Sequence, residues 1–112
     1  MTINEKIEDA LKDIKLPKNY LKRKKDETEC IVYNYIENPL VYGDMKEFST
    51  KYTVLINLYT KGNVEKNRKL VKRAMLDSGF KKIVIPSPVC TNGVYNTAMQ
   101  FKIGLINKED DD

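Results

Sequence analysis

The sequence contains no histidine. The side chain that ordinarily serves as a general base near neutral pH is therefore absent, and Ser–His and Cys–His nucleophile pairs are excluded with it. A Ser–Lys or carboxylate pair stays open in principle, but no spacing singles one out, so no catalytic residue is assigned and a non-enzymatic protein is expected. Cysteine is scarce as well. Cys30 and Cys90 stand alone, each in a β-like stretch. With no CxxC and two thiols where four ligands are usual, neither a zinc site nor any other metal or cofactor is expected. Two buried free thiols are the plain expectation. A disulfide would require the two to be strand neighbours, which the sequence does not establish. Glycine is sparse and scattered at Gly43, Gly62, Gly79, Gly93 and Gly104, with neither GxGxxG nor GxxxxGK[ST], so no nucleotide cradle is expected. No apolar run approaches the ~20 residues of a membrane span. The opening MTINEKIEDALKDIK is charged throughout and does not resemble a secretory signal, which makes the cytoplasm the default compartment.

What is present suits one globular domain. The chain has 112 residues, 41% of them apolar, enough for one core. Without repeats or a dividing linker, residues 1–108 are expected to form a single domain. Residues 109–112, all acidic, are expected to be a disordered tail.

Periodicity supplies the elements. Thr2 and Glu5 form a capping box, and Ile3, Ile7, Ala10, Leu11 and Ile14 recur at helical spacing, which predicts a helix over 3–15 that ends before Pro17. The basic stretch 18–25 is either a loop or a short edge strand. Thr28–Glu37 is rich in β-branched and aromatic residues and predicts a strand. Residues 40–46 form a connection with Gly43-Asp44 at its tip. From Glu47 to Tyr59 the chain alternates, with Tyr52, Val54, Ile56 and Leu58 on one face and a half-polar face opposite, the pattern of a sheet covered on one side.

A second helix is predicted over 64–78, with Asn63 as its cap and Val64, Asn67, Leu70, Val71, Ala74, Met75 and Ser78 along one face. Gly79 stands where a left-handed residue ends a helix, with Phe80 packing back. Lys82–Pro86 is a short strand that Pro86 and Pro88 keep from being central. Asn92-Gly93 predicts a tight hairpin into a last strand, Val94–Ile106. The fold class is therefore α+β: a mostly antiparallel sheet with two helices packed on one face, in the order α-β-β-(β)-α-β-β.

Charge is unevenly spread. Residues 61–82 carry eight basic and two acidic groups, whereas 26–60 carry two basic and six acidic. On the second helix, Lys66, Lys69 and Arg73 lie opposite the apolar face, with Arg68 and Lys72 beside them. A solvated helix face is the plainer explanation. The sharper one is an anionic partner, either an acidic protein surface or, with Lys22–Lys25, nucleic acid. Nucleic acid is disfavoured, because the helix interleaves no aromatics with its cations. Tyr33, Tyr35, Tyr52, Tyr59 and Tyr95 lie in or beside strands and are expected in the sheet and core. Tyr42, Met45 and Phe48 flank a loop tip instead, so they either fold back on the domain or form a contact surface. Tyr42, Met45, Phe48, Lys66, Lys69 and Arg73 are the candidate interface residues.

The layout resembles a known family. An amphipathic helix leads into CIVYNYIENP, then LVYGDMKEFSTKYTVLINLYTKGN, then a basic helix ending in DSGF and two strands. Over nearly the whole chain this is similar to the small tail-completion, or tail-terminator, proteins of tailed bacteriophages and of prophages in Gram-positive bacteria. The stretch Pro86-Ser87-Pro88 with Cys90 departs from that layout. The resemblance implies an α+β subunit without cofactor or catalysis. It implies self-association into a ring, commonly a hexamer, on the end of the tail tube. The partners implied are the tail-tube protein and the head–tail connector proteins, and the location is the virion neck, assembled in the host bacterial cytoplasm. A small basic nucleic-acid-binding module is the alternative function.

Overall fold

A computed structural model describes residues 2–25, 28–38 and 49–106. The connection carrying Tyr42, Met45 and Phe48 and the acidic residues 109–112 lie outside the described residues.

The first helix, α1, spans Ile3–Ala10 and begins with the expected capping box. The Glu5 amide donates to Thr2 Oγ1 at 3.2 Å, and the Thr2 amide donates to Glu5 Oε1 at 2.8 Å. The helix is shorter than the spacing predicts. After Ala10 the chain tightens into bonds spanning three residues, with Lys12 N–H to Asp9 O at 3.4 Å and Ile14 N–H to Leu11 O at 3.0 Å. Leu11 stays buried with Ile3 and Ile7, so the apolar stripe outlasts the regular helix.

Six strands follow: β1 Lys18–Tyr20, β2 Cys30–Glu37, β3 Ser49–Thr60, β4 Lys81–Val84, β5 Val89–Thr91 and β6 Val94–Ile106. The second helix, α2, spans Val64–Asp77 between β3 and β4. The strand order is β1-β2-β3-β6-β4, with β5 also paired to β6. β1 runs parallel to β2, with Lys18 opposite Ile31 and Tyr20 opposite Tyr33. Every other pairing is antiparallel. The spine is the β3–β6 ladder, which runs from Ser49 opposite Ile106 to Thr60 opposite Tyr95.

β4 and β5 pair successively along the same side of β6, at Val84 opposite Gln100 and Val89 opposite Asn96. They amount to one edge strand broken over residues 85–88, where Pro86 and Pro88 donate no hydrogen bonds. The β5–β6 hairpin closes through Asn92 (φ 53°) and Gly93 (φ 80°), the pair of positive dihedrals that a type I′ turn requires.

Both helices lie on one face of the sheet. Ile3, Ile7 and Leu11 from the first helical segment and Val71 and Met75 from α2 share one core with Ile31, Tyr33, Val54, Ile56, Leu58, Phe80, Met99 and Phe101. Phe101 and Met99 are fully buried opposite Val54 and Ile56, at the centre of the sheet. The end of α2 fits its sequence closely. Gly79 is left-handed (φ 97°), its amide donates to Leu76 O at 3.1 Å, and the Phe80 amide reaches back to Met75 O at 3.1 Å. That pair of bonds is the Schellman arrangement, and it tucks Phe80 into the core.

Three expectations need correction. Asn63 precedes α2, but its side chain makes no capping bond. Its backbone is left-handed instead (φ 52°), a conformation asparagine tolerates. Leu70 does not join the buried stripe and is 48% exposed, because contact with the core narrows to Val71, Ala74 and Met75. Cys90 is exposed on edge strand β5 while Cys30 is buried in β2, and no disulfide joins them.

Candidate interaction surfaces

α2 rests on the sheet through Val71 and Met75, which turns Lys66, Lys69 and Arg73 to solvent, as the helical spacing requires. Arg68 pairs with Glu65, one turn away, at 2.7 Å. Lys66, Lys69 and Arg73 form no ion pair among the described residues. Leu70 and Leu76 are exposed on the same helix, 48% and 40%. The outward surface is thus basic with aliphatic interruptions, rather than uniformly polar.

Beside it lies the sheet edge. Ile83, Val84 and Val89 are 45%, 46% and 63% exposed on β4 and β5. Between α2 and β4 runs an open groove of about 380 Å³, lined by Arg68, Lys69 and Lys72 from the helix and Lys82, Ile83, Val84 and Ile85 from the strand. Its floor is aliphatic and its helix wall cationic. The sequence marks the cations and, through Pro86 and Pro88, a strand that is not central, which agrees with the place of β4 at the end of the strand order; the exposure of Ile83, Val84 and Val89 along it was not foreseen. Among the described residues β4 pairs only with β6, and that pairing pattern is what leaves these aliphatic side chains at the rim.

At the other edge, tyrosines fasten α1 to the sheet. The rings of Tyr20 and Tyr35 stack at 5.6 Å, Tyr20 meets Tyr33 at 5.7 Å, and Tyr35 meets Tyr52 edge-on at 5.7 Å. The Tyr33 hydroxyl donates to the Glu8 carboxylate on α1. Burial, and then that bond, push the Tyr33 phenol well above its ordinary pKa. The Tyr35 phenol is raised chiefly by its hydrogen bond with Tyr20. These groups stitch elements together. The expectation that Tyr33, Tyr35, Tyr52 and Tyr59 belong to the sheet agrees with their places in β2 and β3.

The chain between β1 and β2 is tied across the sheet. Arg23 sits 4.4 Å over the Tyr59 ring, and the Lys61 amide donates to Glu29 Oε2 at 2.8 Å. Among the described residues, no cluster of His, Cys, Asp and Glu is placed to hold a metal ion. No described helix is long and apolar enough to cross a membrane.

Of the six candidate interface residues, Lys66, Lys69 and Arg73 share one exposed helix face. Tyr42, Met45 and Phe48 lie outside the described residues. Comparison with protein-family models and with curated proteins gives no match.

Proposed function

We propose that this protein is a non-enzymatic structural component of a phage or prophage tail, capping the tail tube as an oligomeric ring and joining it to the head-completion proteins. The observation that carries this reading is the aliphatic edge of β4 and β5 beside the cationic face of α2. Such an edge offers unpaired backbone groups and apolar side chains to another protein. Its cations would set orientation and partner choice. The chain's likeness to tail-terminator proteins, from the α1 segment through YNYIENP and YTKGN to DSGF, supplies the biological context. The lack of histidine agrees with a role without catalysis.

The test is localisation. Gold-labelled protein mixed with tubes of the cognate tail-tube protein should be found by electron microscopy at tube ends. Label distributed along tube walls, or absent from tubes, would remove the reading.

The α2–β4 groove also gives the nucleic-acid alternative a concrete site, Arg68, Lys69, Lys72 and Lys82. Its aliphatic floor offers no base-stacking surface, so backbone phosphates would be the only contacts. A titration with single- and double-stranded DNA and RNA at low salt decides. Affinity that falls steeply with salt supports the alternative, and no binding eliminates it.

A further inference from the structure

The groove between α2 and β4 has two unlike walls. Arg68, Lys69 and Lys72 line it from the helix, and Lys82, Ile83 and Val84 from the strand. Pairing with β6 fixes the side on which each strand residue stands. Lys82 is opposite Phe101, which is buried in the core shared with the helices, so Lys82 belongs to the helix side of the sheet. Val84 is opposite Gln100, the next residue of β6, and so belongs to the far side. Ile83 falls where the register shifts between them. β4 therefore offers charge toward α2 and aliphatic surface away from it, and Lys82, Ile83 and Val84 are all exposed.

β4 ends the strand order among the described residues. An extended segment laid along it would alternate its own side chains between the same two sides. Those on the helix side meet the cations, and those on the far side meet Val84. Arg68 and Lys72 are about one helical turn apart, ~6 Å along the axis. Alternate side chains of a strand repeat every ~7 Å. Carboxylates at every second position thus match the cations in spacing as well as in sign. A second copy of this chain fits the edge poorly. The opposite end of the sheet is β1, which contains Lys18 and is followed by Lys22, Arg23, Lys24 and Lys25, so pairing edge to edge would set cations against cations. Nucleic acid also fits poorly, because none of the described residues lining the groove is aromatic and bases have nothing to stack on.

We infer that β4 receives an extended segment of another protein in which acidic and aliphatic residues alternate. The segment adds to the sheet as a further strand, with its acids toward α2 and its aliphatic side chains beside Val84. The inference rests on the reading of this surface as an assembly contact, and it names the chemistry of what the surface takes.

The test follows backbone amides of the isotope-labelled full chain by NMR as a heptapeptide alternating valine and glutamate is added. The amides of Lys82, Ile83 and Val84 should shift saturably, together with those of Lys69 and Lys72. A peptide with lysine in place of glutamate should bind at least ~10-fold more weakly, because several exposed ion pairs become repulsions. Lys69→Glu with Lys72→Glu, two positions outside the core, should reverse that preference. Of two peptides N-methylated either at the valines or at the glutamates, one should lose binding and the other keep it, since an added strand donates to its neighbour from alternate residues only. Equal binding of the glutamate and lysine peptides would overturn the inference, as would shifts confined to other strands. Full binding by both N-methylated peptides would overturn it too. So would an oligothymidylate that shifts the same amides at lower concentration than the glutamate peptide at ~0.15 M salt, because a phosphate backbone would then be the better occupant. The peptides are read on the subunit alone. A protein that caps tubes but binds no glutamate peptide overturns this inference and leaves the tail role standing, and one that binds the peptide but caps no tube does the reverse.

Discussion

Tyr33 ties α1 to the sheet. Its ring is buried beneath the helix and its hydroxyl is held by Glu8. Tyr33→Phe removes that bond while keeping the ring, and should cost about 1 kcal/mol in urea denaturation, the usual net worth of one hydrogen bond. The raised phenol pKa also has a direction in pH. A folded-state value above the unfolded one favours the fold below the ordinary tyrosine pKa of ~10 and is lost progressively above it. Stability should therefore fall as pH rises past ~10, and Tyr33→Phe should flatten that decline. Phe101 shows a simpler dependence. It is fully buried opposite Val54, and Phe101→Ala should cost ~3–5 kcal/mol by the same measurement, through lost burial and the cavity left behind.

At the scale of elements, the end of α2 depends on one backbone conformation. Gly79 sits at φ 97°, and an added Cβ would meet nothing within 4 Å. Gly79→Ala should therefore destabilise by ~1–2 kcal/mol through backbone strain alone, without a steric clash. A thermal melt at matched pH would measure it. The exposed edge makes a different demand. Val84→Lys replaces a half-exposed side chain on the outermost strand and should leave monomer stability within ~0.5 kcal/mol. It should, however, abolish capping of tail tubes if β4 is the contact. A fully stable Val84→Lys protein that still caps would move the interface elsewhere.

Elements with a clear period were legible from the sequence. β3 and β6 alternate with period two, α2 repeats every third and fourth residue, and Asn92-Gly93 marks its own turn. What was illegible is non-local. Nothing in Lys18–Tyr20 says that it pairs with β2, still less in parallel. Pro86 and Pro88 mark Lys81–Val84 as not central, but nothing in KKIV says that it pairs with β6 or that Ile83 and Val84 stand exposed. Leu70 matched the helical stripe but faces solvent, because an amphipathic pattern gives a direction and the width of the contact sets how many residues it covers. Of the candidate interface, only the part on one helix, Lys66, Lys69 and Arg73, could be placed by local spacing.

At the scale of the whole molecule, the arrangement is asymmetric. Helices cover one face of the sheet, tyrosines secure one edge, and the other edge presents aliphatic side chains beside a basic helix. A subunit built this way suits association with neighbours of different kinds, and the proposed role depends on that association. Polymerising the cognate tail-tube protein with increasing amounts of this protein, and scoring tube lengths by electron microscopy, tests it most directly. The account predicts that tubes stop growing and carry the protein at one end. A tube-length distribution unchanged at saturating protein would contradict it.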